Sequence, residues 1–95
     1  MVTSGTHANG GCCFDYGNAE TSNNDTGSGS MEAIYFGTAG GGTGGGPWVK
    51  ADLENGLIYS GDTPNPNNLP LPHPFVTAMV KGGSDGFALK GGDGE

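Results

Sequence analysis

The sequence predicts an all-β fold of short strands joined by glycine-rich loops. Glycine supplies 21 of the 95 residues, and the apolar residues form short runs instead of a stripe with the 3.6-residue period of a helix. Tyrosine, phenylalanine and tryptophan total 8 residues and cluster in these runs, which is not typical of a disordered chain. Short strands separated by long loops favour a β-sandwich.

Five segments have the pattern of a strand: Met31–Phe36, Trp48–Glu54, Leu57–Tyr59, Phe75–Val80 and Phe87–Leu89. The loops between them contain most of the glycine and proline residues that interrupt regular secondary structure. Seven glycines lie between Gly37 and Pro47, and five of the six prolines lie between Asp62 and Pro74. Five strands are few for a complete sandwich and leave open edges, so we expect a partial one.

The charge balance excludes whole classes of function. Ten acidic residues against three basic ones give a net charge of −7, whereas a nucleic-acid binder needs a basic surface. No segment approaches the roughly 18 apolar residues of a membrane helix. The first residues are polar, so no signal peptide is visible. We therefore expect neither a nucleic acid nor a membrane as partner.

The second predicted strand carries two carboxylates. Alternation with period two places Val49, Ala51 and Leu53 towards a core, and the opposite face then receives Trp48, Lys50, Asp52 and Glu54. Asp52 and Glu54 would lie about 6.5–7 Å apart on that face. Such a pair can perform acid–base or nucleophilic chemistry, and Trp48 could stack on a sugar ring. The same pattern also fits an ordinary strand facing solvent.

The strand is followed by Asn55-Gly56, a pair that favours a tight turn. This turn would place Glu54 and Asn55 at the end of a strand, where sites are often built.

Cys12 and Cys13 are adjacent in the sequence. Neighbouring Cα atoms lie about 3.8 Å apart, closer than the roughly 4.4–6.8 Å of ordinary disulfides, so a bond between them closes a strained ring. The alternatives are two free thiols or thiols that pair elsewhere in a longer chain. Asn24 begins an Asn-Asp-Thr glycosylation sequon, which fits secretion.

The segments Gly82–Gly86 and Gly91–Gly94 have similar sequences and begin nine residues apart. Calcium-binding β-roll repeats have this period, but Asp85 and Asp93 stand at the wrong positions for them. We expect two glycine-rich turns flanking a strand, with no metal and no cofactor.

Taken together, these features resemble the catalytic domain of the α-L-arabinofuranosidase B family, glycoside hydrolase family 54. The matching stretches are Gly5–Thr21, Met31–Gly37, Gly46–Trp48, Ala51–Leu57 and Phe75–Gly82. They cover nearly the whole chain but only part of the family's catalytic domain. The resemblance implies a sandwich of the concanavalin-like lectin/glucanase type. It also implies a secreted fungal enzyme, monomeric at full length, that releases terminal arabinofuranose from the hemicelluloses arabinan and arabinoxylan with retention of configuration.

The resemblance also assigns roles to residues. Glu54 matches the family's nucleophile, and Asp52 and Asn55 match neighbours that hydrogen-bond the sugar. Cys12 and Cys13 match a vicinal disulfide that packs against the arabinose. The family's acid/base is an aspartate beyond the end of this chain, and Asp93 aligns with a different aspartate.

Some departures from the family concern the pocket. The loop from Gly37 to Pro47 is shorter than the family's and lacks a tryptophan that lines the sugar pocket, and Ser30 replaces a histidine found in many members.

We expect residues 1–95 to be a fragment of the catalytic domain, without the family's arabinose-binding β-trefoil module. We also expect this fragment to be inactive and poorly folded on its own. The alternatives are a non-catalytic, lectin-like carbohydrate-binding module and a glycine-rich structural protein.

Overall fold

The computed structural model describes residues 1–8, 14–18, 32–39, 42–53 and 65–95. These residues form two antiparallel three-stranded sheets and contain no helix, which confirms the predicted all-β class. The strands are β1 (Val2–Ser4), β2 (Phe14–Gly17), β3 (Glu32–Gly37), β4 (Trp48–Leu53), β5 (Phe75–Gly83) and β6 (Gly86–Asp93). The concanavalin-like type of sandwich stays a prediction.

The two sheets are assembled differently along the chain. One has the order β2-β3-β4, so its strands follow the sequence, and the other has the order β1-β5-β6. In the second sheet, β1 pairs with β5 through Val2 opposite Thr77, which joins the start of the chain to its last third. β5 and β6 form a hairpin closed at Gly83 and Gly86.

The core lies between the two sheets. Phe36 and Val76 are completely buried, and Ile34, Val49 and Ala78 are almost so. Ile34 and Phe36 come from β3, Val49 from β4, and the other two from β5, so one face of each sheet supplies the core. Burial of these apolar side chains stabilises the contact between the sheets, by about 25 cal/mol for each Å² of apolar surface removed from water.

Four of the predicted strands are confirmed as β3, β4, β5 and β6, although β5 continues three residues beyond Val80 and β6 continues four residues beyond Leu89. Two strands were not predicted. β1 has only three residues, and β2 reads Phe-Asp-Tyr-Gly, so neither shows an apolar run. The predicted strand Leu57–Tyr59 lies outside the described residues.

The prediction of a second glycine-rich turn after Phe87–Leu89 is wrong. β6 continues through Gly91 and Gly92 to Asp93. A Cβ on Gly91 would lie 2.7 Å from Cγ2 of Val49 and 2.8 Å from Cδ1 of Leu71. Glycine is therefore required there because the other sheet packs closely against the strand, and not because the chain turns.

Within the described ranges, no helix is long and apolar enough to cross a membrane.

Candidate active site

The candidate site lies on the face of the β2-β3-β4 sheet that points away from the core. Residues directly opposite each other on neighbouring strands point to the same side of a sheet. One row across the three strands contains Asp15, Tyr35 and Lys50, and the next contains Gly17, Ala33 and Asp52. The alternation predicted for β4 is confirmed in this respect, because Val49 faces the core while Lys50 faces the aromatic rings of Tyr35 and Trp48.

The carboxyls of Asp15 and Asp52 lie on the same face of the sheet and influence each other's pKa. They belong to the two outer strands of the sheet, on either side of β3. The row of Asp15 contains Tyr35, whereas the row of Asp52 contains only the small residues Ala33 and Gly17. A Cβ on Gly17 would lie 2.3 Å from the carbonyl oxygen of Glu32 and 2.5 Å from Cα of Ala33, so only glycine allows β2 to approach β3 this closely.

The carboxyl pair has altered acidity. Burial raises the pKa of Asp15, and both the charge of Asp52 and the hydrogen bond to it raise that pKa further. Burial also raises the pKa of Asp52, whereas the hydrogen bond from Asp15 lowers it. The two groups titrate as a coupled pair.

The other end of this face is covered by the glycine-rich loop before β4. The Nζ of Lys50 donates to the carbonyl oxygen of Ala39 at 2.7 Å, and the Nε1 of Trp48 donates to that of Thr43 at 3.0 Å. The backbone N–H of Ala39 donates to the hydroxyl of Tyr35 at 2.7 Å. Three side chains of the sheet therefore hold the loop in place.

Trp48 is only 4% exposed, so the suggestion that it could stack on a sugar ring is wrong. A Cβ on Gly42 would lie 2.6 Å from Nε1 of Trp48, and one on Gly46, whose φ is +78°, would lie 3.0 Å from its ring. Glycine at these two positions allows the loop backbone to lie directly on the indole.

Comparison with known proteins identifies the family. The family model described as "Alpha-L-arabinofuranosidase B, catalytic" matches residues 1–95. The chain belongs to the α-L-arabinofuranosidase B catalytic family. It is 58% identical over 95 residues to "Probable alpha-L-arabinofuranosidase B" of Aspergillus clavatus, a match that covers 95% of this chain and 19% of the relative.

Two further relatives match this chain to a similar extent. "Alpha-L-arabinofuranosidase B" of Emericella nidulans is 57% identical and "Arabinofuranosidase/B-xylosidase" of Trichoderma koningii 55% identical, each over 97% of this chain and 19% of the relative. The chain therefore spans about a fifth of the length of these curated relatives. No solved structure matches it.

Of the residues to which the family resemblance assigns a role, the structure describes only Asp52, which is half-buried on the face defined above. Glu54, Asn55, Cys12, Cys13 and Asn24 lie outside the described residues. Asp93 belongs to the other sheet, where its Oδ2 lies 3.5 Å from Nδ1 of His73. No group of three or more His, Cys, Asp or Glu side chains in the described part of the chain could hold a metal ion.

Asp15 has no role that its sequence pattern predicts. It lies two residues after Cys13, inside the long stretch that resembles the family, and a lone aspartate in a strand of four residues carries no signal by itself. Only the pairing of β2 with β3 and of β3 with β4 reveals that it lies on the same face of the sheet as Asp52.

Proposed function

We propose that this chain contributes the nucleophile and part of the sugar-binding surface to a retaining, exo-acting α-L-arabinofuranosidase. Its substrates would be the terminal arabinofuranosyl groups of arabinan and arabinoxylan, and the enzyme would act outside the cell. The observation that carries the proposal is the position of Asp52 on the outer face of the β2-β3-β4 sheet, two residues before Glu54 in a chain of this family.

The proposed reaction has two steps. The carboxylate of Glu54 attacks the anomeric carbon, the glycosidic bond breaks, and an acid protonates the departing oxygen. This step leaves a glycosyl ester on Glu54. Water, deprotonated by the same acid/base group, then attacks the anomeric carbon and releases arabinose, and two inversions give net retention.

The other residues of the resemblance would hold the sugar. Asp52 and Asn55 would hydrogen-bond its hydroxyl groups, and a disulfide between Cys12 and Cys13 would supply an apolar surface against the ring. The acid/base aspartate would come from a part of the family's catalytic domain that these 95 residues do not include. The resemblance therefore predicts that the 95-residue chain alone does not turn over substrate.

A segment exchange tests the proposal. Because identity to the Emericella nidulans relative is 57%, this chain can replace the matching segment of that enzyme, and we refer to the product as the chimera. We expect the chimera to hydrolyse nitrophenyl α-L-arabinofuranoside and to release α-arabinofuranose first, as measured by proton NMR. The isolated chain serves as the control.

Three results would contradict the proposal. Release of the β-anomer would exclude retention, and turnover by the isolated chain would show that no outside acid/base is needed. A folded chimera that binds arabinan without hydrolysing it would favour the carbohydrate-binding alternative.

A further inference from the structure

We propose that the outer face of the β1-β5-β6 sheet binds a polysaccharide that carries carboxylate groups. We refer to this surface as the basic face, and its side chains are those of Val2, Phe75, Thr77, Met79, Lys81 and Lys90. It lies on the side of the core opposite the candidate active site. The choice of a polysaccharide as partner rests on the proposed function.

The alternation of β5 defines the basic face. Val76 and Ala78 are buried in the core, so the alternate residues of this strand, from Phe75 to Lys81, point outward. At about 3.3 Å per residue, this strip is about 20 Å long. Its length suits an extended polymer better than a small anion.

The two neighbouring strands widen this strip. Val2 of β1 lies opposite Thr77, and Lys90 of β6 lies opposite Met79. Lys90 is therefore the diagonal neighbour of Lys81 across the hairpin, at a distance of about 7–8 Å. Because both lysines are exposed, their ammonium groups can bind carboxylates of one polymer.

The charge of the basic face is opposite to that of the chain. The net charge is −7 with only three lysines, yet two of the three lie on this face, and none of its described residues is acidic. Asp85 is in the turn of the hairpin, and Asp93 points inward, with its Oδ2 3.5 Å from Nδ1 of His73. Charges on the opposite side of the sandwich lie beyond the screening length of about 10 Å at 0.1 M salt, so they do not prevent an anion from binding.

Apolar side chains are exposed beside the lysines. Val2 and Met79 are each 65% exposed, and Phe75 is 50% exposed. These three side chains surround Thr77, and a contiguous apolar patch of this kind marks a surface that binds a partner. The C–H faces of sugar rings pack on such side chains, while the carboxylates of a polyuronate bind the ammonium groups. One polymer therefore satisfies both parts of the surface.

The arrangement separates holding from cleavage. The basic face and the face of Asp52 belong to different sheets and point away from each other. A polymer on the basic face would therefore keep the enzyme among polysaccharide chains and raise the effective concentration of its substrate.

The test measures binding of the chimera to polygalacturonate, a polymer of a carboxylated sugar. Replacing Lys81 and Lys90 by glutamine removes two positive charges from the face, and replacing both by arginine keeps them. The charge-matched control is Asn65→Asp with Asn67→Asp in the exposed loop before β5, which shifts the net charge by the same amount. Circular dichroism establishes that each variant is folded.

A second pair of variants tests the apolar part. Phe75→Ala shortens an exposed side chain of the face, and Leu69→Ala shortens one that is 64% exposed but lies in the loop before β5. The comparison ligands are the neutral methyl ester of polygalacturonate and polyglutamate, which is acidic but contains no sugar.

We expect the glutamine pair to weaken binding of polygalacturonate by about fivefold and Phe75→Ala to weaken it by about threefold. The arginine pair, the aspartate pair and Leu69→Ala should bind like the parent chimera. Binding should weaken as salt is added, and the methyl ester and polyglutamate should bind less tightly than polygalacturonate.

The inference is overturned if the parent chimera does not bind polygalacturonate, or if the glutamine pair binds it no less tightly than the aspartate pair. Equal binding of polyglutamate would assign the face to an acidic protein segment, and an unchanged affinity of Phe75→Ala would reduce the effect to charge alone. A chimera that sediments as a dimer, and as a monomer after Phe75→Ala, would assign the face to a second copy. The proposed function fails on a different measurement, which is turnover by the Glu54→Gln chimera.

Discussion

The ammonium group of Lys50 lies 4.9 Å from the centroid of the Trp48 ring, under a loop that both residues hold. Lys50 donates to the carbonyl oxygen of Ala39 and Trp48 donates to that of Thr43, so each holds a different described segment of the loop. An ammonium group over an indole face gains about 0.5–1 kcal/mol at exposed sites and more where water is excluded. The pair therefore joins the glycine-rich loop to the same strand that carries Asp52.

Replacing Lys50 by methionine should loosen this loop. Methionine keeps most of the apolar stem but loses the positive charge and the hydrogen bond to Ala39. We expect the free energy of unfolding of the chimera to fall by about 1 kcal/mol and KM to rise, because the loop borders the face of Asp52. Denaturant titration and steady-state kinetics measure the two effects.

Lys81→Met is the control for this prediction, since Lys81 is exposed on β5 in the other sheet. Equal losses of stability in the two variants would mean that the contact between Lys50 and Trp48 contributes nothing specific.

The close contact between the sheets predicts a sharp difference between two neighbouring glycines. Gly91→Ala would place a methyl group 2.7 Å from Val49, whereas nothing lies within 4 Å of the corresponding position on Gly92. We expect Gly91→Ala to destabilise the chimera by about 1–3 kcal/mol and Gly92→Ala to leave it unchanged. Thermal unfolding of the two variants decides this, and equal midpoints would contradict the packing described here.

The carboxyl pair predicts a pH-dependent stability. The pKa values of Asp15 and Asp52 are raised in the folded protein, so the folded state binds more protons than the unfolded state at a pH between the unfolded and folded values. Stability then falls as the pH rises through this window, from about 4 upwards. The pair costs most stability at neutral pH, where both groups are charged.

Asp15→Asn should relieve this cost. We expect its thermal midpoint to exceed the parent's at pH 7 and to approach the parent's at pH 3, because the parent pair is protonated in acid. A midpoint difference that is constant between these pH values would show that the two carboxyls do not interact.

The sequence contained enough information to predict the parts of the fold that depend on local pattern. Apolar runs identified β3, β4 and β5, and the alternation in β4 placed Val49 towards the core and Asp52 on the other face. Burial of Trp48 could not be predicted, because the loop that covers it is held by hydrogen bonds to backbone carbonyls, which any sequence provides.

Contacts between segments that are distant in the sequence could not be predicted from its local pattern either. β1 owes its strand conformation to pairing with β5, and the position of Asp15 on the same face as Asp52 depends on the register of β2 against β3. Gly91 shows the same limit, since a glycine required by close packing and one required by a turn look identical in a sequence. The family resemblance supplied the roles of Glu54 and the cysteines, which local pattern alone left open.

The most direct test of the central claim is the turnover of the chimera with Glu54 changed to glutamine, which keeps the size of the side chain but removes the nucleophilic carboxylate. Asp85→Asn, in the exposed turn between β5 and β6, serves as the control. The proposed function predicts that kcat for nitrophenyl α-L-arabinofuranoside falls more than about 1,000-fold in a folded protein with an unchanged thermal midpoint. A Glu54→Gln chimera that retains substantial turnover would contradict the assignment of the nucleophile and, with it, the proposed role of this chain.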